Sequence, residues 1–419
     1  MKRFLLVVLV IVVAAAAAYF ALAAVYSVRL ARTRRALAAA GHPVNLADLA
    51  PFFAAGSDEA GDLYLAAAAG FEKHALGRLV LYDSIGWRED PRGLDSLLRA
   101  RAAPLTALLA ATRLGPARFG YDFERGWHTR LVAPLPQFRT FHTLLALHAR
   151  ALMNHRDADS ALAVLGRAFA LTEALSEPLL VHWLVGLAGQ DTALALLARA
   201  APHAGIAALD RAIADLSGPD LVGPMRRALQ SEIVFTQDAL ARGHFLGTID
   251  ETGRTVDYPW HLILPLRRYV QWRQLEVGRV RLDLILRPWY ESRAAIARLD
   301  SGLAGPGLAR RLVRDASSAT VIYADRAARI IAQRDAAVYA LRLVRFRREH
   351  GRLPADPTEA AGALPLDPFT GEAMVFRAEP GGFVVYSLGR NVRDDDGDPG
   401  LDIALRVRWP SGQNVGLGN

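Results

Sequence analysis

Three histidines, His142, His148 and His155, lie close enough in the sequence to share a helix and are the first candidates for metal or proton chemistry. Their spacings of six and seven do not give the i, i+4 arrangement by which two imidazoles grip one zinc ion, and no His-Glu-x-x-His run occurs. Surface or partly buried structural places are the expectation for them. A second cluster is acidic: Asp394, Asp395, Asp396, Asp398 and Asp402 crowd five carboxylates into one short loop, where Gly397 and Gly400 allow tight turns. Such crowding suits calcium, which takes six to eight hard oxygen ligands. A solvated acidic loop is the alternative. The helix-loop-helix calcium template fails, because Val392 occupies its first position and Ile403 its last.

Other chemistries leave no linear trace. There is no Gly-x-Ser-x-Gly elbow, no phosphate loop ending in Gly-Lys-Ser/Thr and no dinucleotide fingerprint following a strand. The absence of cysteine excludes disulfides, thiolate metal sites and a cysteine nucleophile. Glu59, Asp62 and Glu232 are isolated acids with no partner carboxylate assignable to them, so general acid/base catalysis has no visible basis. From Leu266 to Arg293, basic residues interleave with Tyr269, Trp272, Trp289 and Tyr290. That mixture can contact a membrane surface or single-stranded nucleic acid, but Glu276, Asp283 and Glu291 dilute it and the leucines between them read as core. The formal charge of +8 is almost all arginine interspersed with acids, without a dense basic arm, so no nucleic acid is expected as a partner.

The elements that must position these residues are mostly helical. No charge interrupts the chain from Phe4 to Tyr26, long enough at about 1.5 Å per residue to cross a hydrocarbon core of about 30 Å. This segment reads as a retained transmembrane anchor, with a cleaved leader ending near Ala21-Leu22-Ala23 as the rival. Arg29, Arg32, Arg34 and Arg35 after the span outnumber Lys2 and Arg3 before it, which taken literally keeps the body cytoplasmic. The export-like start favours a body outside the cytoplasm, on the periplasmic side of an inner membrane, because long downstream domains translocate largely regardless of charge. With 52% apolar residues the rest can bury a substantial core.

Apolar spacing of three and four predicts helices over 28–40, 58–76, 93–113, 138–154, 157–176, 179–200, 206–216, 220–242, 263–300 with a break near Pro288, and 307–349. The pair from Phe138 to Leu175 resembles a tetratricopeptide unit, with Asp157 opening its second helix and Ala161, Leu165, Ala168 and Leu171 on one face. A plain helical hairpin explains it equally, and no second clear copy follows. After Arg348 prolines break the helix, and Ala373–Arg377, Phe383–Leu388 and Ile403–Val407 read as three strands of an antiparallel sheet, with Glu379–Gly382 turning between the first two. The expected fold is therefore mainly α: an anchor or signal at 1–27, an all-helical domain at 28–330, a small α/β module at 331–409 and a tail at 410–419.

Within that module, Ala340-Leu341, Phe346, Gly351-Arg352-Leu353-Pro354, Asp367-Pro368-Phe369-Thr370-Gly371, Tyr386-Ser387-Leu388-Gly389 and an acidic loop ending Asp402-Ile403 stand in a telling order. From Ala336 to about Leu405 this stretch resembles the globular domain of the major pseudopilin of type II secretion systems. The resemblance implies calcium in the loop, held by the Leu388 carbonyl, Asn391 and acids among Asp394, Asp395, Asp396, Asp398 and Asp402. It does not extend to the N-terminus: Met1-Lys2-Arg3-Phe4-Leu5-Leu6 has neither the pseudopilin cleavage glycine nor its glutamate, so assembly into a pilus spine is not expected. The whole layout also resembles uncharacterised bacterial membrane-anchored helical proteins.

These readings converge on a non-catalytic membrane protein whose helical body binds a protein or peptide partner and whose distal module calcium stabilises. An envelope hydrolase without a linear motif, or an accessory component of a type II secretion-like system, are the alternatives. A cavity gathering the histidines with acids would speak for the hydrolase, and a groove without such convergence for the binder.

Overall fold

The computed structural model describes residues 2–71, 90–128, 133–175, 179–187, 189–218, 220–242, 248–249, 255–256, 262–285, 287–317 and 320–409. The first helix, α1 (Lys2–Ala39), does not stop at the end of the apolar block but runs on unbroken. Its first part is exposed on all sides, and it is long and apolar enough to cross a membrane. Its last part enters the body, where Ala23, Leu30 and Leu37 recur every seven residues as one buried stripe, joined by Thr33. Such a repeat keeps one seam of a helix facing a partner helix.

The body is built of helices whose starts carry the expected chemistry. The elements are α2 (Asp58–Ala69), α3 (Pro91–Arg99), α4 (Ala102–Ala111), α5 (Leu135–Asn154), α6 (Ala158–Ala174), α7 (Leu180–Gly186), α8 (Gln190–Ala200), α9 (Ile206–Ser217) and α10 (Gly223–Arg242). They continue with α11 (Leu264–Ile285), α12 (Trp289–Leu303), α13 (Leu308–Asp315), α14 (Thr320–His350) and α15 (Pro357–Ala361). Ser57, Asp90 and Asp157 each accept a hydrogen bond from the backbone N–H three residues on, filling an orphan donor at the start of α2, α3 and α6. α5 begins three residues before the expected Phe138, because Pro136 sits in its first turn, where a missing N–H costs nothing.

Three expected helices are divided. The stretch read as 93–113 breaks at Ala100-Arg101, and the one read as 307–349 breaks after Asp315. The third, 179–200, breaks at Gly189, whose φ of 92° ends α7's course and starts α8 in a new direction. Of the helix read over 58–76, the part beyond 71 lies outside the described residues. A two-residue hairpin, β1 (Thr248–Ile249) with β2 (Thr255–Val256), was not anticipated.

The C-terminal sheet holds β3 (Val375–Glu379), β4 (Gly382–Ser387) and β5 (Ile403–Arg408), antiparallel in the order β3-β4-β5. β3 sits two residues later than its alternation suggests, because Ala373 forms an isolated bridge with Leu366 instead of joining the sheet. β4 is central and buried throughout. Its first residue must be glycine: a Cβ at Gly382 would lie 2.0 Å from the Val407 carbonyl oxygen of β5. The buried Asp367 carboxylate fastens the far end of β4, accepting hydrogen bonds from Ser387 Oγ at 2.8 Å and the Leu388 N–H at 2.9 Å.

α14 unites the two halves. It packs on α9 and α12 in the body and on β4 and β5 in the sheet, and one continuous apolar core includes Leu341, Leu343 and Val344 with Phe138, Phe383 and Val407. Phe383, fully buried between Phe376 and Trp409 at ring distances of 5.9 and 6.1 Å, is a sensitive reporter of that union. Phe383→Ala is expected to cost about 3 to 5 kcal/mol. Because the core is shared, thermal melting should show the whole molecule losing stability in one transition, without a separate early step for the sheet.

Candidate binding cleft and the acidic loop

The break at Gly189 opens a cavity of ≈ 660 Å³ between α5, α7, α8 and α14. One wall is apolar, formed by Val181, Leu184, Val185 and Leu187. Arg139 of α5 and Arg326 of α14 are exposed on its border, with Thr143 and Thr192 as neutral polar residues. His142 forms part of the lining and is buried. Gly189 is needed here twice over: its positive φ favours glycine, and a Cβ would come within 2.6 Å of the His142 Cβ.

His142 is poorly equipped for catalysis. Burial pushes its pKa down to about 4, opposed only weakly by the nearby Gly186 backbone, and neither ring nitrogen makes a hydrogen bond of normal geometry. A histidine acting as general base needs a substrate or nucleophile proton within reach and is usually oriented by a third group. No carboxylate stands among the described lining residues.

The other two histidines point elsewhere. Six residues turn a helix by about 600°, so His148 lies roughly 120° around α5 from His142, while seven residues bring His155 back near the His148 face but about 10 Å along. His148 is partly buried, which lowers its pKa, and His155 is exposed at the helix end, 3.1 Å from Asp95. The three therefore do not form one site. Sequence reasoning missed Arg139, Arg326 and the apolar wall. Arg139 precedes His142 by three, a helical turn, but nothing local ties either residue to Arg326 far along the chain.

The acidic loop is fixed by positive φ at Gly389, Val392, Asp396 and Gly397. Its carboxylates go to different tasks. Asp396 pairs with Arg377 of β3, which also donates to the Asp396 carbonyl oxygen. Asp398 accepts from the Gly400 N–H at 2.8 Å and so closes its own turn. Asp394 accepts from the Tyr386 hydroxyl at 2.8 Å and the Asp396 N–H at 3.0 Å. Burial, then that hydrogen bond, push the Tyr386 pKa up to about 12. Asn391 donates to Asp395 at 2.7 Å, and its own oxygen accepts from the Arg393 N–H.

Asp402 is the buried member, 2% exposed. Its Oδ2 accepts from the Gly397 and Asp395 N–H groups at 2.8 and 3.2 Å, while Oδ1 is buried without a partner. Burial raises its pKa, and the charges of Asp395 and Asp394 raise it further against those backbone donors. This tests the loop against calcium. The orphaned Asp402 oxygen and its acidic neighbours have the right chemistry, whereas Asp396 and Asp398 are engaged elsewhere. Among the described residues no three acidic or imidazole groups already converge on one point.

His142 gives a test of the cleft. Its folded pKa lies below that of the unfolded chain, so the unfolded state binds more protons as pH falls from about 6.5 to about 4, and stability is lost across that window by about 3 kcal/mol. Chemical denaturation of the wild type and His142→Phe at a series of pH values is expected to give a shallower acid slope in the variant. Comparison with known protein families, with curated proteins and with solved structures yields no match to this chain.

Proposed function

We propose that this chain is a non-catalytic, membrane-anchored, extracytoplasmic protein whose helical body binds a peptide segment of a protein partner. The observation that carries the reading is the Gly189 cleft: an apolar wall faced by two guanidinium groups, lined by a histidine that burial keeps neutral. Guanidinium forks suit carboxylates, and an apolar trough suits a hydrophobic side chain. The occupant with both features is an extended peptide with an apolar residue next to its C-terminal carboxylate.

In this reading α1 anchors the chain through its exposed apolar part, which inserts with a favourable free energy of several kcal/mol at about 0.3 to 0.6 kcal/mol per large aliphatic residue. The placement of the body outside the cytoplasm rests on the export-like start and on the pseudopilin resemblance of the distal module. Calcium would be held in that module by the Leu388 carbonyl, Asn391, Asp394, Asp395 and Asp402, supplying charge neutralisation and no chemistry.

Peptide binding is tested with the full chain in lipid nanodiscs and labelled peptides ending in leucine or phenylalanine, read by fluorescence anisotropy. Free-carboxylate peptides are expected to bind and C-terminally amidated ones to bind more weakly. Arg139→Ala/Arg326→Ala should weaken the free-carboxylate peptides by about 10-fold or more, since a hydrogen bond to a charged group is worth about 1.5 to 3 kcal/mol. Equal binding by wild type and double variant would remove the cleft from the proposal.

Calcium has its own readout. Thermal melting of the full chain with millimolar calcium against chelator is expected to raise the midpoint of the wild type and leave Asp395→Asn/Asp402→Asn unmoved. Magnesium serves as the control, because it demands stricter octahedral geometry and dehydrates reluctantly. A calcium shift of the same size in both proteins would place the ion elsewhere.

A further inference from the structure

We propose that the collar where α1 leaves the bilayer binds the phosphate of an anionic phospholipid headgroup, gripped by Arg29, Arg273 and Arg310. The inference rests on the anchored reading above and adds a ligand site to it.

The site is a cavity of ≈ 350 Å³ where α1, α11, α13 and the end of α12 meet. Its lining includes those three arginines with Tyr26, Tyr269 and Trp272, and no carboxylate. The aromatic rings form a packed cluster: Tyr26 stacks on Trp272 at 5.9 Å and meets Tyr269 edge-on at 5.2 Å. Arg29 lies over the Trp272 ring at 4.8 Å and Arg273 lies over it at 5.5 Å, so one indole contacts two of the cationic groups that line the cavity. Arg310 reaches in from α13 past Gly305, where a Cβ would come within 2.7 Å of its Nη1. Among the described residues none of the three guanidinium groups is paired with an acid. Three like charges converging without a counter-charge call for an anion, and aromatic faces can orient guanidinium groups without neutralising them.

Height along α1 identifies the source of that anion. If the hydrocarbon begins at Phe4, about 20 residues at about 1.5 Å each bring its far edge to Ala23. Tyr26 and Arg29 then lie about 5 and 9 Å beyond that edge, in the layer of about 5 to 8 Å where headgroups sit and just past it. Tyrosine and tryptophan favour this level. On the same scale the Leu264 N–H donates to the Tyr19 hydroxyl at 2.9 Å, which sets the start of α11 about 6 Å inside the edge. There Leu262 and Ile263 are 72% and 48% exposed, apolar side chains that water does not favour and acyl chains do. Acyl chains on Leu262 and Ile263 with the phosphate in the arginine collar is the arrangement of one lipid molecule.

The experiment is native mass spectrometry of the full chain released from nanodiscs of phosphatidylcholine and phosphatidylglycerol in equal parts, counting retained lipids. Wild type is expected to retain phosphatidylglycerol in preference to phosphatidylcholine. Arg29→Ala/Arg273→Ala/Arg310→Ala should reduce the preference at least tenfold, since each basic residue near an anionic surface contributes about fivefold. Trp272→Leu, which keeps the charges and removes their platform, should also reduce it, while Arg279→Ala on the same helix should not. Unchanged melting of each variant, measured in parallel, separates loss of the site from loss of the fold. Retention that free inorganic phosphate at the same concentration abolishes would show a small-anion site and overturn the lipid assignment, as would equal retention by wild type and the triple variant. Carbonate extraction of membranes separates this inference from its premise. A chain that stays in the pellet without lipid preference loses only the headgroup site, whereas one released to the supernatant loses the anchor and the site together.

Discussion

The structure depends on one constraint: α1 is a single helix that is a lone apolar rod at one end and part of the core at the other. No glycine or proline interrupts it between Lys2 and Ala39, and the same backbone hydrogen bonding that satisfies its polar groups in an apolar medium carries it into the body. The buried stripe of Ala23, Leu30 and Leu37 locks it against α11, and the pair run parallel, as the contacts Tyr19 to Leu264, Tyr26 to Tyr269 and Thr33 to Glu276 advance together. Thr33 donates to Glu276 at 2.5 Å and Arg34 reaches Gln237 of α10, so polar contacts also fix the seam. A flexible tether would leave a body free to tumble at variable height. A rigid rod embedded in the core fixes the direction in which its apolar end leaves the body.

The distal module obeys a related constraint. The boundary drawn near residue 331 falls inside α14, which has no break there and carries apolar residues toward both the body and the sheet. Arg348 at the helix's end donates to the Pro202 carbonyl at 2.7 Å, and Arg347 covers the Trp409 ring at 3.8 Å, so the junction is polar at its margin and apolar within. The apolar N-terminal segment, the body and the sheet are thereby linked through two long helices and not through loops.

How much of this the sequence disclosed follows from the range of the forces involved. The helical character, the three strands and most helix ends depend on residues within a turn or two, and periodicity with capping chemistry reveals them: Asp157 opens α6 as its type and position suggest. The breaks are harder. Leu187 to Gly189 sits in an apolar run that reads as continuous helix, and glycine is required there by its left-handed φ and by the close approach of His142 from another helix. The cleft's arginines come from α5 and α14, separated by most of the body, so no local pattern reports them. In the acidic loop the crowding of charge was plain, but its division was not. That division depends on Arg377 and Arg406, which reach it from β3 and β5 only once the sheet has formed.

That division also says what kind of site the loop can be. Arg406 binds Glu379 through Nε at 2.9 and 3.0 Å and extends Nη2 to the Gly397 carbonyl at 3.2 Å, while Arg377 holds Asp396. In the outer half of the loop Asp396 thus has a cationic partner, while Asp398 is held by the Gly400 N–H. The inner half keeps Asp402, whose unpartnered oxygen is buried and whose pKa is raised first by that burial and then by the charges of Asp395 and Asp394. An unpaired buried carboxylate is costly, and protonation or a bound cation are the two ways to relieve it. Protonation relieves Asp402 alone and leaves the charges of Asp394 and Asp395 in place. The calcium proposed above would act on this buried carboxylate just before the strand that enters the sheet at Ile403, where any loosening of the loop would be felt by β5 and, through β5, by α14.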